Sequence, residues 1–238
     1  MGRRLLLIPI IHQPADLGSA GSALAAQSLL LTNPERWDDF VRTVDRYWSS
    51  IGSALEPLAP GRLQVYQDGL PSGGAEGVRL VAEAARRGSR NFMLIESLVA
   101  RGASLCQTED AALLLREHHM LTNLLADAHL SGPELRETRA ALLDARDEAI
   151  ASTIGATLRP GAVGLLFIGA AHNVARFLPA DIDVTVLKDP RAVQAYVAVQ
   201  FADVESVGAD DPRALLAAYV GAPIDTGLGA ALLNTAGS

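Results

Sequence analysis

The chain has 238 residues, a formal net charge of −7, 49% apolar residues and 20% charged residues. This length and balance predict a single globular domain over 1–238 and exclude a disordered chain. The acidic charge argues against nucleic acid binding, and the lack of a long apolar run argues against a membrane span. The single cysteine, Cys106, rules out an intrachain disulfide. From these observations we expect a cytoplasmic protein.

Five short stretches have the pattern of β-strands. The run 4–11 is continuously apolar, as is 163–168, and such runs are typical of strands covered on both faces of a parallel sheet. The stretch 63–68 alternates between apolar and polar residues. Two further strands are predicted at 104–108 and 182–187.

Helical patterns separate these strands. Asn33-Pro34 has the form of a helix start, and apolar residues follow it at helical spacing. Two further helices are predicted to end at Gly88 and Gly102, and another begins at Asp110. The longest helix runs from Ser131 to about Pro160, and the last two begin at Asp189-Pro190 and Asp211-Pro212.

The alternation of strands and helices predicts an α/β fold, with a largely parallel sheet flanked by helices in a single domain. The final stretch, 221–238, is rich in glycine and small residues and is interpreted as a loose tail or a docking segment. Its Gly227-Leu228-Gly229 follows no strand and lacks a third glycine, so no dinucleotide cofactor is predicted.

Two histidines stand where buried strands end. His12 follows the first strand, and His172 follows the strand 163–168 after a short Gly-Ala-Ala turn. Because ligands of open α/β sheets bind at the carboxyl ends of the strands, the two imidazoles could share a divalent metal ion or act as base and orienting group. The alternative is two separately hydrogen-bonded loop histidines.

Arg146 and two carboxylates complete the candidate set. In the long helix, Arg146 falls in the middle of the inward stripe, where a permanent cation requires an acid, carbonyl groups or an anionic ligand. A structural ion pair, with Asp147 or with an acid of another helix, is the alternative. Asp68 ends the second strand, and Glu109 follows the short strand. Either could be a metal ligand, a general base or the partner of Arg146, whereas Asp110 is interpreted as a helix start.

His118 shares the apolar side of its helix with Leu114 and Leu121, so we expect a core or interface histidine there.

The stretches 145–151 and 164–173 contain an Arg-Asp pair in a helix and then a buried strand ending in Gly-x-x-His. This arrangement resembles the Tiki/TraB superfamily, which includes erythromycin-esterase-like and ChaN-like proteins. By this resemblance His12 corresponds to the family's first histidine, although Pro9 stands where the family has glycine and Asp68 where it has glutamate. The resemblance implies metal-dependent hydrolysis, esterase-like chemistry, haem binding or a regulatory role.

The first hypothesis from these observations is a hydrolase that acts on a small-molecule substrate with the help of a metal ion or a histidine. His12 and His172 would bind a divalent ion of unknown identity or activate water, with Asp68 or Glu109 as ligand or base and Arg146 on an anionic group. The alternatives are a non-catalytic protein that binds a small ligand in the same cleft, and a structural protein or homo-oligomer whose charges form ion pairs only.

Overall fold

The computed structural model describes residues 2–13, 34–126, 132–201 and 212–224. Its centre is one sheet of five parallel strands in the order β3-β2-β4-β1-β5, which confirms the predicted α/β fold with a parallel sheet. The strands are β1 (Arg3–Ile10), β2 (Leu63–Gln67), β3 (Ser104–Leu105), β4 (Val163–Gly169) and β5 (Ile182–Val186).

Helices connect the strands and cover the sheet. They are α1 (Pro34–Leu55), α2 (Gly74–Arg86), α3 (Arg90–Ala100), α4 (Ala111–Ala126), α5 (Pro133–Thr157), α6 (Pro190–Phe201) and α7 (Pro212–Gly221), with short 3-10 turns at Pro60–Arg62 and Val174–Phe177. Within the described ranges, every helix falls short of the length or apolarity needed to cross a membrane.

The sheet has an apolar core on each face, because successive strand residues point to opposite sides. Leu6 and Ile8 of β1 face the core shared with α1, α3, α6 and α7, whereas Leu5 and Leu7 face the core shared with α5. Two buried faces explain why β1 and β4 are continuous apolar runs in the sequence.

Pro9 lies near the end of β1, a strand with neighbours on both sides, although proline lacks the N–H that a sheet uses. The neighbour β5 has ended by this point, since its register with β1 stops at Leu7 opposite Val186. The Tyr47 hydroxyl instead donates a hydrogen bond to the Pro9 carbonyl. Because no β5 residue pairs with Pro9, its missing N–H interrupts no backbone hydrogen bonds between β1 and β5.

Helix α4 departs from the sequence-based expectation. His118 is exposed, so its interpretation as a core histidine is wrong, whereas an interface role stays a prediction. None of the α4 residues whose burial is described is buried. The periodicity of an apolar stripe shows which residues share a side of a helix, but it does not show that this side is covered. The helix start at Asp110 is confirmed, because its carboxylate accepts hydrogen bonds from Ala112 N at 2.7 Å and Leu113 N at 3.1 Å.

At the carboxyl end of the chain, the described part of the 221–238 stretch is docked. Gly221 ends α7, and Ile224 is buried in the core. Residues 225–238 and Asn33, the predicted helix cap, lie outside the described residues.

Candidate active site

Three strand ends bring polar side chains to one place at the carboxyl edge of the sheet. Asp68 directly follows β2, Gly169 is the last residue of β4, and His12 follows β1 by two residues. A Cβ at position 169 would lie 3.2 Å from Asp68 Oδ2, 3.4 Å from His172 Cδ2 and 3.6 Å from His12 Nε2. The side chains of His12, Asp68 and His172 therefore converge on the position that a Cβ of residue 169 would take, and a side chain there would crowd Asp68 most.

His172 is held in one orientation by Asp147 of α5. Its Nδ1 lies 2.5 Å from Asp147 Oδ1, and the second carboxylate oxygen accepts a hydrogen bond of 2.7 Å from Asn173 N. Because a carboxylate can only accept, Nδ1 carries the proton in this pair. The other ring nitrogen, Nε2, then faces Asp68 Oδ2 at 3.5 Å. A carboxylate that fixes the tautomer and orientation of an imidazole is the arrangement found in many bases and metal ligands.

Arg146 lies beneath this group and is only 4% exposed. Its Nη2 donates to Asp68 Oδ1 at 2.6 Å and to Glu109 Oε1 at 2.5 Å, and its Nη1 donates to Glu117 Oε2 at 2.7 Å. Nε contacts the second oxygen of Glu109 at 3.4 Å. All three guanidinium nitrogens therefore face carboxylates, which come from the residue after β2, from α4 and from the loop between β3 and α4.

Asp68 is tied on both of its oxygens. Oδ1 is bound by Arg146, and Oδ2 accepts a 3.0 Å hydrogen bond from Gly169 N while facing His172. The position of this carboxylate is thus determined by a helix and by the neighbouring strand. Glu109, which is 1% exposed, also accepts from Gly69 N at 3.4 Å, so it anchors the turn that follows Asp68.

Burial and neighbouring charges shift the pKa of these groups in different directions. Burial raises the pKa of Asp68, but His172 and Arg146 outweigh it and hold this pKa below its ordinary value. Burial lowers the pKa of His172, whereas the hydrogen bond to Asp147 and the charge of Asp68 outweigh burial and raise this pKa above 6.5. For Glu109, burial dominates and raises the pKa despite Arg146.

The structure brings all five residues proposed from the sequence into one connected group: His12, Asp68, Glu109, Arg146 and His172. Three further members were not assigned a site role from the sequence. Asp147 was considered only as an ion-pair partner of Arg146, whereas its carboxylate binds His172, and Gly169 begins the Gly-x-x-His motif. Glu117 had no signal, because it occupies an ordinary position in an amphipathic helix.

The donor set was compared with the requirements of a divalent metal. Within the described ranges, no group of three His, Cys, Asp or Glu side chains has the arrangement of a metal site. Asp68, the nearest third ligand for the two imidazoles, already accepts from Arg146 and Gly169 N. This arrangement does not match a three-ligand catalytic site, so no step below is routed through a metal.

Comparison of the chain with protein-family models, curated proteins and solved structures gives no significant match.

Proposed function

We propose that this protein is a hydrolase in which His172 acts as general base and Asp147 as its positioning residue. The observation that carries this proposal is the 2.5 Å contact between His172 Nδ1 and Asp147 Oδ1, which turns Nε2 toward Asp68 Oδ2, 3.5 Å away at the carboxyl edge of the sheet. Ligands of open α/β sheets bind at that edge. Membership of the Tiki/TraB superfamily stays a prediction on the motifs described above.

The chemistry follows from the orientation of the ring. Neutral His172 accepts a proton at Nε2 from a water molecule whose oxygen attacks the electrophilic carbon or phosphorus of the substrate. The imidazolium that forms lies between Asp147 and Asp68, two carboxylates that stabilise its charge. It then gives the proton to the leaving oxygen or nitrogen as the scissile bond breaks, which restores the neutral ring.

Of the roles considered for Arg146 on sequence, we assign it that of ion-pair partner of Asp68 and Glu109 and not that of a contact to a substrate anion. Since each of its guanidinium nitrogens already faces a carboxylate, it is not placed to bind a substrate anion or an oxyanion. We assign Arg146 as the positioning residue of Asp68, and Glu109 as the acid that shares this cation. His12 is exposed and borders the same point, so we assign it to substrate contact.

The test is a hydrolysis panel of carboxylic esters, phosphomonoesters, phosphodiesters and peptide anilides. We expect the wild-type protein to hydrolyse at least one class. His172→Gln should lower kcat/KM by at least about 100-fold, because general-base catalysis contributes on that order. Asp147→Asn should lower it less while moving the rise of the pH–rate profile to lower pH, since Asp147 raises the pKa of His172.

His118→Gln is the matched control, because His118 is an exposed histidine outside the site. Equal losses in His118→Gln and His172→Gln would contradict the proposal. A wild-type protein that is inactive on every class, but melts at higher temperature with one of the substrates, would favour the binding-protein alternative.

Metal analysis of protein purified without a chelator or a histidine tag separates the two forms of the hydrolase hypothesis. If His172 acts as a base alone, activity should survive removal of divalent ions. A stoichiometric metal that is lost in both His12→Ala and His172→Ala would instead establish metal-assisted hydrolysis.

A further inference from the structure

Asp68 is carried by a tight turn at the end of β2. The turn runs from Gln67 to Leu70, since Leu70 N donates to Gln67 O at 3.1 Å, and Gly69 has a φ of 77°, a value that favours glycine. Asp68 is the second residue of this turn. Contacts that fix the turn therefore also fix the direction of the Asp68 carboxylate.

Two consecutive residues of the loop between β3 and α4, Thr108 and Glu109, bind this turn. Both of their backbone N–H groups donate to Leu70 O at 3.1 Å. Thr108 Oγ1 accepts from Gln67 N at 2.8 Å, and Glu109 Oε1 accepts from Gly69 N at 3.4 Å. The loop therefore holds the turn at its first, third and fourth residues.

The Thr108 hydroxyl lies where β2 and β3 stop pairing. Cys106 N donates to Val65 O at 2.9 Å, so a parallel ladder continued by one more step would join Gln67 N to Cys106 O. Instead, Gln67 N donates to Thr108 Oγ1, which itself donates to Cys106 O at 3.4 Å. The hydroxyl is thus inserted between two backbone groups that would otherwise bond directly, and it spans the gap between the loop and β2.

These contacts are shielded from solvent. Thr108 is 0% exposed and Gln67 is 2% exposed. The Gln67 side chain is also tied, because its Nε2 donates to Asp68 O at 2.9 Å and its Oε1 accepts from Asn91 Nδ2 at 3.0 Å. A buried N–H that loses its acceptor is costly, so the backbone shifts to find another. Removing the Thr108 hydroxyl should therefore displace the turn.

We propose that Thr108 is a positioning residue of the site, which sets the distance between Asp68 Oδ2 and His172 Nε2 through Gln67. That distance is 3.5 Å, and the charge of Asp68 helps to raise the pKa of His172. Because a charge interaction weakens with distance, a displaced Asp68 would stabilise the His172 imidazolium less. The role of Thr108 in catalysis rests on the proposed hydrolase function, whereas its effect on His172 needs no turnover.

The test compares Thr108→Val, which keeps the shape of the side chain without the hydroxyl, with Thr108→Ser, which keeps the hydroxyl. Nitrogen-15 NMR gives the pKa of His172 in each variant. We expect Thr108→Val to lower this pKa by less than Asp68→Asn does, and Thr108→Ser to keep the wild-type value. On a substrate that the wild-type protein hydrolyses, Thr108→Val should lower kcat by about tenfold with little change in KM, because misplaced groups slow the chemical step.

A double-mutant cycle shows whether Thr108 acts through Asp68. In the Asp68→Asn background, Thr108→Val should leave the pKa of His172 unchanged, because the charge that Thr108 positions is already absent. An equal fall of this pKa in both backgrounds would contradict the positioning role.

Thr43→Val is the matched control, since Thr43 of α1 is also buried and its hydroxyl accepts from Arg46 Nη2 at 3.2 Å. It should leave the pKa of His172 at the wild-type value even if it lowers stability. An unchanged pKa in folded Thr108→Val, or equal falls in Thr43→Val and Thr108→Val, would overturn the proposal. A wild-type protein without activity in which this pKa responds as described would reject the hydrolase and support the positioning role.

Amide hydrogen exchange of the wild-type protein is the deciding measurement if Thr108→Val does not fold. The Gln67 amide should exchange as slowly as the β2 amides that pair with β4, because the Thr108 hydroxyl continues the hydrogen bonding of the strand. Exchange as fast as that of an exposed loop amide would overturn the proposal.

Discussion

At the scale of single residues, Arg146 was the most predictable member of the site. Its place in the helical stripe predicts an inward cation, and the structure buries it against three carboxylates. The identity of those partners could not be read from periodicity, because Asp68, Glu109 and Glu117 lie far from Arg146 along the chain and reach it only through the fold. The pairing of Asp147 with His172 was missed for a related reason, since it is set by the packing of α5 against the end of β4.

Replacing Arg146 with methionine should be strongly destabilising at neutral pH. The change leaves buried Asp68 and Glu109 without their cation, and breaking a buried pair in this way costs about 3–5 kcal/mol. The loss should shrink at about pH 4, where the uncompensated carboxylates become protonated. Urea denaturation at both pH values measures this.

Arg139→Met is the control for that measurement, because Arg139 is an exposed residue of the same helix. A variant at position 146 as stable as wild type at neutral pH would show that the carboxylates do not need the cation. A loss that grows in acid would contradict the electrostatic explanation.

At the scale of elements, the sequence patterns predicted every strand of the described sheet to within a few residues. The reason is physical: β1 and β4 are buried on both faces, and helix starts and glycine turns separate them from the helices. The order of the strands and the exposure of α4 were not predictable from such patterns, because both depend on contacts between distant elements.

A methyl group at Gly164, in β4, should be destabilising, because buried leucine side chains would have to shift. A Cβ there would lie 2.6 Å from Leu5 Cδ1 and within 3.4 Å of both Leu158 methyl carbons, all in a filled core. We expect Gly164→Ala to lower the free energy of unfolding by about 1–3 kcal/mol, as overpacking usually does. The denaturation midpoint in urea tests this.

Gly61→Ala serves as the comparison, since a Cβ at position 61 meets nothing within 4 Å. Equal stability of Gly164→Ala and Gly61→Ala would mean that the Leu5 and Leu158 side chains can shift at no cost. That outcome would contradict the tight packing of α5 on the sheet that positions Asp147.

At the scale of the whole molecule, the parallel arrangement of the strands brings the site residues together. All five strands run in one direction, so residues that follow β1, β2 and β4 meet at one edge although they are far apart in sequence. This is why strand ends predicted the convergence of His12, Asp68 and His172.

The charged group should also give the molecule a characteristic pH dependence of stability. His172 has a raised pKa in the folded state, so its contribution is full below pH 6.5 and is lost as the pH rises through the folded value. Asp68 has a lowered pKa, so its contribution is present above pH 3.8 and is lost as the pH falls through the folded value. Glu109, whose pKa is raised, partly offsets the gain from Asp68.

Stability should therefore be greatest at mildly acidic pH and decline above pH 6.5. Urea denaturation across the pH range measures this, with His172→Gln as the test variant. If the decline persists unchanged in His172→Gln, some other group causes it and the interpretation is wrong.

The central claim is that His172, fixed by Asp147, faces Asp68 across the carboxyl edge of the sheet. Nitrogen-15 NMR titration of the imidazole rings tests it most directly, with the His172 signals assigned by their loss in His172→Gln. We predict protonation at Nδ1 in the neutral ring, a pKa above 6.5, and a fall of that pKa in Asp68→Asn. A pKa at or below 6.5, or one that Asp68→Asn leaves unchanged, would contradict the convergence of these two strand ends.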